Sequence, residues 1–302
     1  MVRTTPPRQI DVEELFPEVV PYGRVAVRLH PRAGRPGVSD SSLGGPVLWP
    51  VWEPWPYCFD PHTVSRDMFR PGRWQTSKDG LPFVPVLQLF ATDVPELPFP
   101  PETDLLQVLW CPFDHVNWWC PRPQLYWRNS SRCGSEHPEP PRPAGAPDHY
   151  LPQPCVLHPE RIIDYPSRDL PDEVWDALEH RFDHLEEETG WSYEYELSVS
   201  TGVKVGGYPT WTQSPDWPDC PRCGHRMEHL LTINSMEFDG SERAWLPIED
   251  RPATGAVRDL PQDELAKVTN PHGLSLGDGG GLYLFDCRRC PYNPYTFRYD
   301  CS

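Results

Sequence analysis

The sequence predicts an α+β fold, predominantly β, built as two tandem pseudo-repeats of short-stranded sheets with a connecting helix. Three observations predict it. The chain has 41 prolines among 302 residues, against about 5% in average usage. Proline lacks a backbone N–H and fixes φ, so it breaks helices and central strands. Apolar runs are short and bounded by proline or glycine, and one segment alone shows clear helical periodicity. Finally, the order of turn, tryptophan, cysteine and strand signals in the first half recurs in the second. The 13 tryptophans argue against disorder, because disordered chains are poor in aromatics.

Residues 1–40 read as a leader and an N-terminal strand, in which Val25, Val27 and Leu29 alternate with Arg24, Ala26 and Arg28. Residues 41–165 form the first repeat. It opens on Leu43-Gly44-Gly45-Pro46 and the aromatic stretch 49–55. Strands follow over 84–90 and 105–110, and then a polar, Pro-rich insertion over 130–154. Residues 166–200 are a helical connector. Asp169 stands near its N-cap and Pro171 suits its first turn. Val174, Leu178, Phe182 and Leu185 share one face, and Gly190 ends it. His180 and His184 are one turn apart, a spacing that can chelate metal. They sit among Glu179, Asp183, Glu187 and Glu188, however, and read better as an exposed polar face. Residues 193–199 read as a strand. Residues 201–302 are the second repeat.

The repeat rests on order and spacing. After Gly44-Gly45-Pro46 come tryptophans, Cys58, Val86-Leu87-Gln88-Leu89 and 105–111. After Gly206-Gly207 come Trp211, Trp217, Cys220, Leu230-Leu231-Thr232-Ile233 and 282–287. The spacing from Gly45 to Cys58 equals that from Gly207 to Cys220. The alternative is chance recurrence of common turn and strand signals.

The cysteines carry the sharpest chemistry. Cys220-Pro221-Arg222-Cys223-Gly224 and Cys287-Arg288-Arg289-Cys290 are two knuckles, and two such pairs supply the four thiolates of a tetrahedral zinc. Gly224 frees the backbone to turn beneath the first pair. Four protein ligands close the coordination shell, so the zinc at Cys220, Cys223, Cys287 and Cys290 is expected to be structural and the C-terminal half to hold a zinc knuckle site. A redox pair is the alternative, but neither pair precedes a helix in a βαβ pattern. In the first half, Cys58 and Cys111 stand where Cys220 and Cys287 do. His62 and His115 follow them and suggest a second, Cys₂His₂ site. The alternatives are a lost metal with Cys58 and Cys111 packed as small apolar side chains, or competing pairs Cys133/His137 and Cys155/His158.

Catalytic signatures are missing. Gly277-Asp278-Gly279-Gly280-Gly281 runs into a strand without a lysine, so it reads as a turn rather than a phosphate loop. No carboxylate pair stands out as acid and base, and an enzymatic role has no positive support. The net charge of -17 disfavours nucleic acid, which draws its affinity from Lys and Arg. It suits a protein or peptide partner, a basic one best; the alternative is that the acidity only keeps the protein soluble. No apolar stretch reaches membrane-spanning length and no secretory signal opens the chain, so no membrane partner and a cytoplasmic location are expected.

These residues resemble a known family. Leu43-Gly44-Gly45-Pro46, Trp49-Pro50, Val86-Leu87-Gln88-Leu89, Asp93-Val94-Pro95-Glu96-Leu97-Pro98 and Leu105-Leu106-Gln107-Val108-Leu109 resemble the YwqG-like bacterial proteins of unknown function. Val205-Gly206-Gly207-Tyr208-Pro209-Thr210-Trp211 with the Cys220 knuckle is also similar to programmed cell death protein 2 and the ribosome-maturation chaperones. The resemblance implies a duplicated, mostly β fold, and for the eukaryotic relatives a chaperone role toward a ribosomal protein. The incomplete knuckles of the first half depart from that pattern. The function expected is therefore a cytoplasmic, zinc-stabilised protein-binding module of chaperone or adaptor type. It would use the surface near Trp49, Trp52, Trp55 and Trp211; the alternative is that these tryptophans fill the core beside the Gly-Gly turns. An immunity protein neutralising a toxin and an enzyme of unrecognised type are the alternatives.

Overall fold

The computed structural model describes residues 2–63, 74–116, 119–134 and 139–301, with the side chains of 74 and 75 left out. The fold is α+β, and strand (about 24%) only slightly exceeds helix (about 21%). The chain forms two compact units. Unit one comprises Met1–His30, His158–Asn270 and Gly280–Ser302, and unit two Pro31–Leu157 and Pro271–Gly279.

Each unit is built on a six-stranded antiparallel sheet. In unit one the strand order is Glu160–Asp164, Arg24–Arg28, Lys204–Gly206, Glu228–Asn234, Gly281–Asp286, Tyr295–Asp300. In unit two it is Arg32–Ala33, Cys155–Val156, Ser42–Leu43, Val84–Phe90, Leu105–Cys111, Arg122–Arg128. The registers correspond strand by strand. Lys204 faces Thr232 as Ser42 faces Gln88, and Glu228 faces Asp286 as Val84 faces Trp110. Both fourth strands carry a bulge at the same step, between His229 and Leu231 and between Pro85 and Leu87. A proline at Pro85 is tolerated there because a bulge interrupts the ladder.

The predicted strands over 84–90 and 105–110 are present, the second extended to Cys111. Arg24–Arg28 is a strand too, but a central one: Ala26, Val27 and Arg28 are all buried because both of its edges are paired. The helix runs Asp172–Thr189, with Pro171 before it and Gly190 closing it at φ 73°. Leu178, Phe182 and Leu185 are its buried face and pack with Phe16, Tyr165, Tyr193 and Leu197. His180 and His184 are exposed, as the acidic surroundings predict.

Two local expectations are corrected. Asp169 does not cap the helix, whose N-cap is Pro171 without a side-chain bond; Asp169 instead accepts the indole N–H groups of Trp211 and Trp217 at 3.1 and 2.5 Å. The segment read as a strand over 193–199 is a wide helical turn, Tyr193–Ser198. A strand would put Tyr193, Tyr195 and Leu197 on one face; the turn buries Tyr193 and Leu197 in one core, where Tyr193 stacks on Phe182 at 3.9 Å, and leaves Tyr195 exposed.

The Gly-Gly turns end equivalent strands. Gly44 and Gly206 have φ of 66° and 67°, a region costly for L side chains. A Cβ on Gly207, at φ 64°, would stand 2.2 Å from Asp164 Oδ2. That carboxylate is fully buried and bonded to Lys204 Nζ at 2.7 Å, Ser200 N at 2.9 Å and Tyr208 N at 3.3 Å. Among the described residues no helix is long and apolar enough to cross a membrane.

Candidate metal centre

The pairing of Glu228–Asn234 with Gly281–Asp286 sets the site. Glu228 and Asp286 face each other at one end of the ladder, so the chain just before the one and just after the other emerges side by side. That is where the two knuckles lie. The first is a tight turn closed by the bridge Asp219↔Arg226, by Cys220 N to His225 O at 2.8 Å and by Gly224 N to Cys220 O at 2.8 Å. Gly224 takes φ 68°, the left-handed conformation that suits glycine. The second knuckle leaves the strand at Asp286 and returns into Tyr295–Asp300, with Cys287 N donating to Pro294 O at 2.8 Å. Tyr292 and Asn293 carry the positive φ values of this turn, 67° and 41°.

The four predicted sulfurs converge. Cys220 Sγ is 3.9 Å from Cys290 Sγ, Cys223 Sγ is 3.6 Å from Cys287 Sγ, and all four lie within 4.8 Å of one another. Sulfur ligands ~2.3 Å from a central ion would sit at tetrahedron edges of about 3.8 Å, so the spacing fits a four-coordinate metal. It does not fit disulfides, which need about 2.05 Å; all four are free cysteines. Burial opposes ionisation of Cys220, but the backbone amides of Arg222 and Cys223 and the neighbouring thiols bring it down to about 7. Burial and the partner sulfurs hold Cys290 up at about 12. Four thiolates around a dication leave two net negative charges; Arg222, Arg288 and Arg289 belong to the same two knuckles, Arg288 pairing with Asp286 at 3.5 Å. Trp211, Met227, Tyr283 and Phe285 pack beneath Cys220 and Cys287, with Trp217 at their side.

In unit two, Cys58, Cys111 and His115 also form a cluster within 4.8 Å, all three buried. Cys58 Sγ is 3.3 Å from His115 Nε2. His62, expected as a fourth ligand, is not part of it. It pairs with His115 across a two-residue antiparallel ladder, its ring lies 5.2 Å from that of Phe113, and its Nδ1 is 3.2 Å from Asp60 O. Cys155 Sγ donates to Pro271 O at 3.4 Å and Cys133 Sγ to Asn129 O at 3.6 Å; His137 lies outside the described residues.

The tryptophans divide. Trp49 and Trp211 are core residues and Trp55 is half-buried, so they do not form the surface expected of them; only Trp52 of the four is exposed, at 69%. Trp49 packs on Trp55 with ring centres 4.9 Å apart, and Trp211 on Trp217 at 6.3 Å. One sequence signal for this went unread: Trp49, Trp55 and Cys58 have the same spacing as Trp211, Trp217 and Cys220. Those shared spacings place matching tryptophans against Cys58 and Cys220 in the two cores.

A cleft of about 170 Å³ in unit one is lined by Thr5, Glu160, Trp191, Glu196, Arg243 and Trp245, among others. Its carboxylates are already engaged. Glu196 pairs with Arg243, and Glu160 accepts Thr5 N at 2.8 Å and sits 2.9 Å from His30 Nε2. Burial alone would raise the Glu160 carboxyl, but His30 and Thr5 bring it below the usual range. An ionised, fully partnered acid has no proton to give and little basicity to offer. No known family model matches the chain, and no curated protein matches it.

Proposed function

We propose that Cys220, Cys223, Cys287 and Cys290 hold a structural zinc and that the protein is a zinc-stabilised protein-binding module of the YwqG-like kind. Zinc suits a four-thiolate tetrahedral donor set better than the harder divalent ions, and a closed shell leaves no position for substrate. The metal then ties the ends of two paired strands, which contributes to stability rather than to turnover. The matching registers, bulges and tryptophan spacings of the two sheets support an internal duplication, as the resemblance implies.

The binding role is carried by one observation. Val51, Trp52, Tyr57 and Phe59 are exposed at 61%, 69%, 42% and 60% within a nine-residue stretch of unit two. Exposed aromatics of this density are unusual on a surface with nothing to bind, and tryptophan and tyrosine are favoured interface anchors. The net charge of the whole chain, -17, favours a basic partner and speeds its encounter. The test is affinity purification from the native host with the parent chain and with a W52A/F59A variant. The expected result is a co-eluting protein that the variant loses while keeping its zinc and its thermal midpoint. A partner retained equally by the variant contradicts this surface, and no partner in either contradicts the binding role.

A further inference from the structure

We propose that unit two binds a second zinc ion through Cys58 Sγ, Cys111 Sγ and His115 Nε2, with a water in the fourth position. The proposal is independent of the exposed aromatic surface and adds a site of different composition to the four-cysteine one. Three features carry it.

The first is geometry. The three donor atoms lie within 4.8 Å of one another, and Cys58 Sγ is 3.3 Å from His115 Nε2. Tetrahedral zinc with sulfur at ~2.3 Å and nitrogen at ~2.0–2.1 Å places such atoms about 3.6 Å apart, so a shift of a few tenths of an ångström completes the site.

The second is the orientation of the imidazole. His115 Nδ1 is 3.4 Å from the carbonyl oxygen of Cys120. An Nδ1–H donating to that carbonyl leaves Nε2 unprotonated and facing Cys58. Metal-bound histidines are held in this way, with the far nitrogen donating to a backbone carbonyl or a carboxylate.

The third is position. Cys111 ends the strand Leu105–Cys111 as Cys287 follows Gly281–Asp286, and Cys58 is held beside it through the pairing of Tyr57–Cys58 with Leu81–Pro82. In the aligned spacing Pro61 stands where the first knuckle has Cys223, so that thiolate is missing and a position is left open. The charge also balances. Two thiolates and a dication sum to zero, which suits a site whose residues are 4%, 0% and 2% exposed; in the four-thiolate site, with its net negative charge, Cys223 is exposed and Cys290 half-buried.

The experiment is zinc analysis and zinc X-ray absorption on the purified full chain. The expected result is about two zinc per chain, with an average shell of about three sulfurs at ~2.3 Å and about one nitrogen or oxygen at ~2.0–2.1 Å. One zinc per chain in a pure sulfur shell would overturn the proposal. C58S and C111S are each expected to lower the content from about two to about one zinc and to leave an all-sulfur shell, whereas C223S is expected to leave about one zinc in a mixed shell. A C58S chain that still holds about two zinc counts against the site. H62A is expected to keep both ions, and its loss of one would contradict the three-residue ligand set. Because the absorption measurement needs no variant, a C58S or C111S chain that fails to fold leaves the proposal open to refutation.

Discussion

At the scale of single residues, positive φ and close approach separate two kinds of glycine. Gly207 and Gly224 both lie in the left-handed region, at 64° and 68°. A Cβ on Gly224 meets nothing within 4 Å, whereas on Gly207 it would stand 2.2 Å from Asp164 Oδ2 and 2.8 Å from the Ala26 Cβ. Gly224→Ala should therefore cost about 1–2 kcal/mol, the conformational strain alone. Gly207→Ala should cost more than ~3 kcal/mol, because it also displaces the acceptor of a buried Lys204 ammonium. Urea denaturation midpoints of the two variants check the order. Buried histidines add a pH dependence. Burial, with nothing to offset it, pushes His272 down to about 3, and burial with the nearby Lys204 does the same to His229. The unfolded chain takes up these protons near 6.5 and the fold refuses them, so the unfolded state binds more protons between pH 6.5 and 3. Stability should be full above pH 6.5 and fall as the pH drops through that window. The H272N chain should show a smaller loss of urea midpoint from pH 7.5 to 5.5 than the parent, and the difference between the two is free of any contribution from the metal they share. An equal loss in both would contradict the assignment.

At the scale of elements, legibility followed locality. The helix Asp172–Thr189 was legible because its apolar period and its closing Gly190 are properties of neighbouring residues. The two strands over 84–90 and 105–111 were legible for the same reason. The role of Asp169 was not. Its partners Trp211 and Trp217 lie more than forty residues away, and a carboxylate two residues before Pro171 carries the ordinary signal of a helix start. Burial raises its carboxyl above the usual range while the two indole N–H groups and Arg226 oppose that shift. Asp169→Ala should leave both indoles without an acceptor and lower stability by about 2–4 kcal/mol. It should also change the tryptophan fluorescence of the folded chain; an unchanged spectrum would argue against the contact. The turn Tyr193–Ser198 was misread because Tyr193, Tyr195 and Leu197 alternate like a strand. In the fold, Tyr195 is 61% exposed while Tyr193 and Leu197 are buried against the helix, so an alternating pattern was satisfied by a helical turn on a core edge.

At the scale of the whole molecule, the four-cysteine cluster was legible from spacing, since a Cys-x-x-Cys pair has few structural uses outside a metal or redox site. The first-half cluster was only partly legible. Cys58, Cys111 and His115 were readable as candidates by their position after matching turns. His62 could not be separated from them by spacing, because the antiparallel pairing that turns its ring toward Phe113 is set by long-range register. The registers also show how the strands divide. Arg24–Arg28 and Glu160–Asp164 pair in unit one, while Arg32–Ala33 and Cys155–Val156 pair in unit two, with Val27 facing Arg161 as Cys155 faces Ala33. Unit one thus draws strands from before and after the stretch that supplies the sheet of unit two, an arrangement that a linear division into successive repeats does not convey. Four cysteines from two distant knuckles are proposed to share one zinc. The most direct measurement is peptide-mapped alkylation of the native chain before and after a strong chelator. Cys223 lies at the surface, so a free thiol there would react at once. The account predicts that Cys220, Cys223, Cys287 and Cys290 are protected together and become reactive together when zinc is removed; modification of Cys223 at the same rate with and without chelator would contradict it.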